Sequence, residues 1–230
     1  MRRMAIYYFQ LDAHGTPGLL GEVLREFGQQ VRQITASVGD NMPHDLDEVH
    51  GIIVSGGGAS VTATSGAVEG FVRAAHVAQI PVLAIGAGAR LAARALGGEV
   101  SPCSERAVTR VSLNQVGREE PLFAGQPWSS EQPIWNDECV SKLPEGAINF
   151  ASTGASRIAA WGLGPFVTAI DWHPEWNAAE IAAGTRSATP ITQTVLNDIA
   201  RAGRLFAERV SLVLMPVDRM ASGRARDIHH

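Results

Sequence analysis

Through the first hundred residues, apolar runs of strand length alternate with amphipathic stretches of helix length. This is the pattern of successive strand–helix–strand units around a buried parallel sheet. Residues 4–9 predict a first strand. Residues 16–27 follow with Leu19, Leu20, Val23, Leu24 and Phe27 at helical spacing, and Gly28 is placed as the stop. Gly51-Ile52-Ile53-Val54-Ser55 is a second continuous apolar run and ends in Gly56-Gly57-Gly58. A helix over 67–78, with Val68, Phe71, Val72 and Ala75 on one side, leads to a third strand at 81–85. That strand breaks at Gly86-Ala87-Gly88 and passes directly into an alanine-rich helix over 89–96.

The texture changes in the second half. Short β-like pieces at 107–113, 132–135, 148–151, 158–161 and 166–170 are separated by Pro and Gly, a spacing that suits antiparallel strands extending the sheet. Residues 192–214 predict a long amphipathic helix with Val195, Ile199, Leu205, Phe206, Val210 and Leu214 toward the core. The expected fold is a single α/β domain over 1–217, its mixed, mainly parallel sheet flanked by helices, with a polar tail over 218–230.

Composition narrows the functional classes. The chain has 230 residues, 45% of them hydrophobic, and a net charge of −4 with its 19 Lys and Arg scattered, so no phosphate-backbone binder is indicated and no nucleic-acid partner is expected. The apolar run near the start is far too short for a membrane span. Cys103 and Cys139 cannot make a disulfide framework and neither lies in a C-x-x-C pair, which points to a reducing compartment and a cytoplasmic chain with no membrane partner.

In open α/β sheets ligands bind beyond the carboxyl ends of the strands, so the turns after Ser55 and Ile85 are the places for chemistry. Their glycines let backbone N–H groups approach a ligand, or simply permit tight turns. Gly86-Ala87-Gly88-Ala89-Arg90-Leu91 matches a dinucleotide fingerprint poorly, since Leu91 stands where Gly or Ala is required. His173, in Asp171-Trp172-His173-Pro174-Glu175-Trp176, follows a β-like run, and the carboxylate two residues on has the means to orient its ring for general-base work or to form an ordinary surface pair. No metal-ligand spacing is recognisable, and no cofactor is expected.

Taken in order, Gly51-Ile52-Ile53-Val54-Ser55-Gly56-Gly57, Ile80-Pro81-Val82-Leu83-Ala84-Ile85-Gly86-Ala87-Gly88-Ala89-Arg90-Leu91, Ala95-Leu96-Gly97-Gly98-Glu99-Val100, Glu120-Pro121-Leu122-Phe123, Leu143-Pro144-Glu145-Gly146-Ala147 and Asp171-Trp172-His173-Pro174-Glu175 resemble the landmarks of class I (triad) glutamine amidotransferases. The resemblance runs from about residue 51 to 176. It implies the flavodoxin-like fold of that family, a Cys-His-Glu triad with His173 and Glu175 as two members, and ligand contacts at Gly56, Gly57, Ala87 and Arg90.

The position that the resemblance gives to the nucleophilic cysteine is occupied by Gly86. Glycine cannot attack a carbonyl carbon to form the γ-glutamyl thioester, and neither Cys103 nor Cys139 lies where a replacement is needed. Arg90 stands where the family commonly has Gln. The expectation is therefore a protein without ordinary glutaminase activity, acting as a binding, regulatory or partner subunit of a synthase or ligase and retaining a site for a small amide or amino-acid-like ligand. Two alternatives stay open: a hydrolase or lyase working through His173, Glu175 and water, and an ordinary glutaminase subunit whose nucleophile has been mutated.

Overall fold

The computed structural model describes residues 5–12, 15–36, 42–43, 45–56, 65–185 and 190–215. The strands β1 (Ala5–Gln10), β2 (Val31–Thr35), β3 (Val49–Gly56), β4 (Val82–Gly86), β5 (Glu99–Leu113), β6 (Ser129–Lys142), β7 (Ile148–Ser152), β8 (Ala160–Leu163) and β9 (Val167–Ile170) form a nine-stranded sheet in the order β2-β1-β3-β4-β9-β8-β7-β5-β6. The first five in that order are parallel and the remaining pairings antiparallel. The mixed α/β architecture expected from the apolar pattern is thus present.

Alternation along the central strands explains why both faces are buried. Ile6 and Tyr8 of β1, Ile53 of β3, and Leu83 and Ile85 of β4 join one core with α1 (Gly18–Glu26) and α6 (Gln193–Arg209). Their neighbours Tyr7, Phe9, Ile52, Val54, Val82 and Ala84 enter a second core on the opposite face, with α2 (Ser65–Val77) and α3 (Ala87–Ala95). A strand buried on both sides reads as a continuous apolar run, as β3 and β4 do. Gly88 lets α3 pack closely on β3, because a Cβ there would overlap the carbonyl oxygen of Val54.

Several sequence expectations are corrected. β2 was not foreseen. Two of its five residues are exposed polar side chains on an edge strand, which leaves little apolar signal. The segments read at 107–113 and 132–135 belong to strands of 15 and 14 residues. The helix expected over 192–214 ends at Arg209 and continues as a wider π-type turn, Val210–Leu214. Val195 and Leu205 are only partly buried, whereas Ile199, Phe206, Val210 and Leu214 are core residues.

Cys103 and Cys139 are joined in a disulfide between β5 and β6, with Cα atoms 5.7 Å apart. They lie near a register shift between Pro102 and Glu105, where two cysteines distant in sequence come within bonding reach. The pairing corrects the reading of these residues as evidence for a reducing compartment. Among the described residues, no helix is long and apolar enough to cross a membrane. The tail over 218–230 lies outside the described residues.

Candidate functional site

β3, β4 and β9 end side by side, and their carboxyl ends gather the residues singled out from sequence. Gly56 pairs with Gly86 at the last position of the β3–β4 ladder. Ile85 pairs with Ile170, so the chain leaving β9 carries Asp171, His173 and Glu175 to the start of α3. β6 comes over this end of the sheet: Ile134 bridges Trp172, and the His173 N–H donates to the Pro133 carbonyl at 3.0 Å.

Gly86 forms the strand-to-helix elbow with φ 56° and ψ −119°. L side chains rarely adopt such backbone angles, and glycine accepts them at little cost. The space beside its Cα is filled. A Cβ on residue 86 would overlap His173 Cε1 and would stand 2.6 Å from His173 Nε2 and 2.7 Å from the Gly56 carbonyl oxygen.

The His173 imidazole is fully buried and held from two sides. Its Nδ1 lies 2.9 Å from Glu175 Oε1, and its ring is stacked on Trp176 with centroids 3.9 Å apart and planes within 7°. With Glu175 ionised, Nδ1 carries the proton and Nε2 presents a lone pair. Nε2 has no hydrogen-bond partner among the described residues. The imidazole is thus oriented as a general base is, but what it faces is the bare elbow.

Glu175 is also fixed by β3, since Ser55 Oγ donates to the same Oε1 at 2.8 Å. Tyr8 lies next to this pair. Burial raises its hydroxyl well above the usual tyrosine range, the Glu175 carboxylate raises it further, and the Ser55 contact opposes. At the backbone level the Glu175 carbonyl accepts from Leu19 N at 3.1 Å, giving the first turn of α1 a partner.

Arg90 does not face solvent. It is 3% exposed, donates from Nη1 to Asn136 Oδ1 at 2.5 Å, and lies 3.5 Å from Asp171 Oδ1. These contacts tie α3 to β6 and to the segment after β9. Burial lowers the guanidinium from its usual range while Asp171 opposes that shift. Burial in turn raises Asp171 to about 7, with Arg90 pulling it back down. Asp137 is engaged by Arg106 at 2.7 Å, and Glu138 lies 4.0 Å from Arg94, so both acidic side chains are paired away from His173.

The structure therefore brings Gly56, Gly86, His173 and Glu175 together, puts Ala87 in the first turn of α3, and seals Arg90 behind them. Gly57 lies outside the described residues. Sequence reasoning missed Ser55, Asn136 and Trp176 as partners. Ser55 was available, being the last side chain before the glycines of β3; the other two depend on how β6 and the 171–176 segment pack.

Comparison with known proteins meets this geometry from outside. The model of the family "Glutamine amidotransferase class-I" matches residues 18–183. A GMP synthase [glutamine-hydrolyzing] from Leifsonia xyli subsp. xyli is 37% identical over 140 residues, covering 56% of this chain and 26% of the relative. The enzyme of that description from Aeropyrum pernix is 33% identical over 163 residues, covering 68% of this chain and 30% of the relative. This chain thus spans less than a third of the length of these curated relatives. The crystal structure of a glutamine amidotransferase from Methylobacillus flagellatus superposes with a TM-score of 0.79 at 20% identity, covering 99% of each chain. A family model that matches most of the chain agrees with the order of its landmarks and with strand ends that converge on Gly86 and His173: the chain belongs to the class I glutamine amidotransferase family.

Proposed function

We propose that this protein has the fold of a class I glutamine amidotransferase without its glutaminase chemistry, and that it serves as a binding or regulatory subunit, a partner of a synthase or ligase that obtains nitrogen without help from this site. The observation that carries the reading is the elbow. Residue 86 stands where the family resemblance places the nucleophile, it has no side chain, and His173 fills the volume that a Cβ would need.

The glutaminase route requires a thiolate to attack the amide carbon, a base to take the thiol proton and donors to hold the oxyanion. His173 and Glu175 supply the oriented base, and the elbow supplies no atom to attack. The two cysteine sulfurs of the chain are joined to each other in the β5–β6 ladder. Arg90, where the resemblance puts a glutamine, spends its charge on Asp171 and Asn136. Together these features support His173, Glu175 and Arg90 acting as internal ties.

A partner synthase is suggested by the relatives, described as glutamine-hydrolysing GMP synthases, which are several times longer than the matched segment. The reading is tested by treating the purified chain with a glutamine analogue that carries an electrophilic diazoketone and weighing the intact protein. The unaltered mass is expected. A stoichiometric adduct would overturn the reading and identify the attacking residue.

A further inference from the structure

Val195 and Leu205 have the helical spacing of core residues, yet both stay only partly buried on α6. With Ala202 they line a cavity of about 570 Å³ between α6 and the first residues of β6. The apolar face of the helix thus looks onto space of the size that holds a small organic ligand. A second cavity of about 20 Å³ shares Gln126, Pro127, Ser130 and Ala202 with the first and reaches the core at Trp172 and Phe206. It has room for one water or one polar group of that size.

The polar groups of the small cavity come from β6, which carries Ser130, Gln132 and Ile134 on one face. Ile134 belongs to the core under α6, so Gln132 is drawn inward with it and is 4% exposed. Its Nε2 donates to Ser130 Oγ at 3.1 Å, whereas its buried Oε1 has no hydrogen-bond partner among the described residues. Burying an acceptor without a donor is costly, and a site that retains one is matched to a ligand that supplies it. Ser130 Oγ, having accepted from Gln132, keeps its own hydrogen to give. One acceptor and one donor therefore stand together at the cavity wall.

We infer that the two cavities form one binding site for a small uncharged primary carboxamide, its –CONH2 head at Gln132 and Ser130 and its apolar body along α6. An N–H of that head donates to Gln132 Oε1 while its carbonyl accepts from the Ser130 hydroxyl. A tertiary amide or a carboxylate has no N–H to give, and an alcohol must serve both groups with a single atom. The charges of the wider cavity are matched among themselves, Arg110 lying 3.4 Å from Glu131 and Arg201 2.7 Å from Asp198, which favours a ligand without net charge. Gly86, His173 and Glu175 take no part, so glutamine hydrolysis at the elbow, present or absent, leaves this site unchanged.

The test is a calorimetric titration of the purified chain with benzamide. Saturable one-to-one binding is expected. N,N-dimethylbenzamide, which lacks the N–H donors, and benzoate, which carries a charge, are expected to bind about tenfold more weakly or less tightly still. Gln132→Met keeps the volume and removes the amide, and it is expected to bring benzamide down to the level of its dimethyl analogue. Leu205→Arg places a long cation in the wider cavity and is expected to abolish binding of both. No saturation, N,N-dimethylbenzamide binding as tightly as benzamide, tighter binding of benzoate or benzyl alcohol, or unchanged benzamide affinity in Gln132→Met would overturn the inference. If a variant fails to fold, the ligand series on the unaltered chain decides.

Discussion

Glycine at position 86 and histidine at position 173 form one steric unit. The elbow backbone disfavours any L side chain, and the imidazole stands where the first carbon of that side chain would go. Gly86→Cys is therefore expected to lower stability by about 1–3 kcal/mol, measured by urea unfolding, and to displace His173 from Trp176, seen as a changed tryptophan emission. Unchanged stability together with unchanged emission would show that the space is open. Arg90 gives a second expectation. Arg90→Gln removes the cation that pulls Asp171 down and the donor to Asn136, and is expected to cost roughly 1–3 kcal/mol at neutral pH, while Arg90→Gln combined with Asp171→Asn recovers part of that loss. Most of the candidate site residues at this scale were legible, because Gly86, His173 and Glu175 sit in ordered motifs. The partners of Arg90 were not: nothing in the spacing from Arg90 to Asn136 shows that β6 folds back over α3.

The elements separate into a parallel half that positions the site and a long antiparallel pair, β5–β6, that covers it. Central strands were legible because burial on both faces leaves an unbroken apolar run, as in β3 and β4. β5 was read only from residue 107 because its first half carries Glu99, Pro102 and Glu105, side chains that belong to a twisted, bulged edge ladder. The disulfide was hidden for that reason, since two cysteines 36 residues apart meet only once the strands are in register. In the chain-entropy model a loop of this length is worth up to about 4 kcal/mol. The double variant Cys103→Ser, Cys139→Ser is expected to unfold at lower urea by up to that amount, and a dithiol reductant should destabilise the wild type while leaving the double variant unchanged. An equal effect of reductant on both proteins would contradict the ladder seen here. The short helix Ala178–Gly184 depends on the Asn177–Glu180 capping box, and Asn177→Ala is expected to cost about 1 kcal/mol.

For the whole molecule, the buried Arg90–Asp171 pair links stability to pH. Asp171 is raised to about 7 from an ordinary value of 3.8, so the folded chain holds a proton that the unfolded chain has already released between those values. The contribution of Asp171 is fully present below about pH 4 and is lost as pH rises toward 7. The stability of the wild type relative to Asp171→Asn should fall across that window and level off above it. A flat difference would place Asp171 among ordinary ionised carboxylates.

The architecture was legible as a whole because the order of strand, helix and glycine-rich turn survives in the sequence, while the proposed absence of glutaminase chemistry rests on Gly86 and the imidazole beside it. The central claim is tested most directly by ammonia release from L-glutamine, measured over a range of concentrations of the purified chain. Release equal to the protein-free blank at every concentration is the predicted result. Glutamate and ammonia produced in equal amounts, in proportion to the chain, would contradict it.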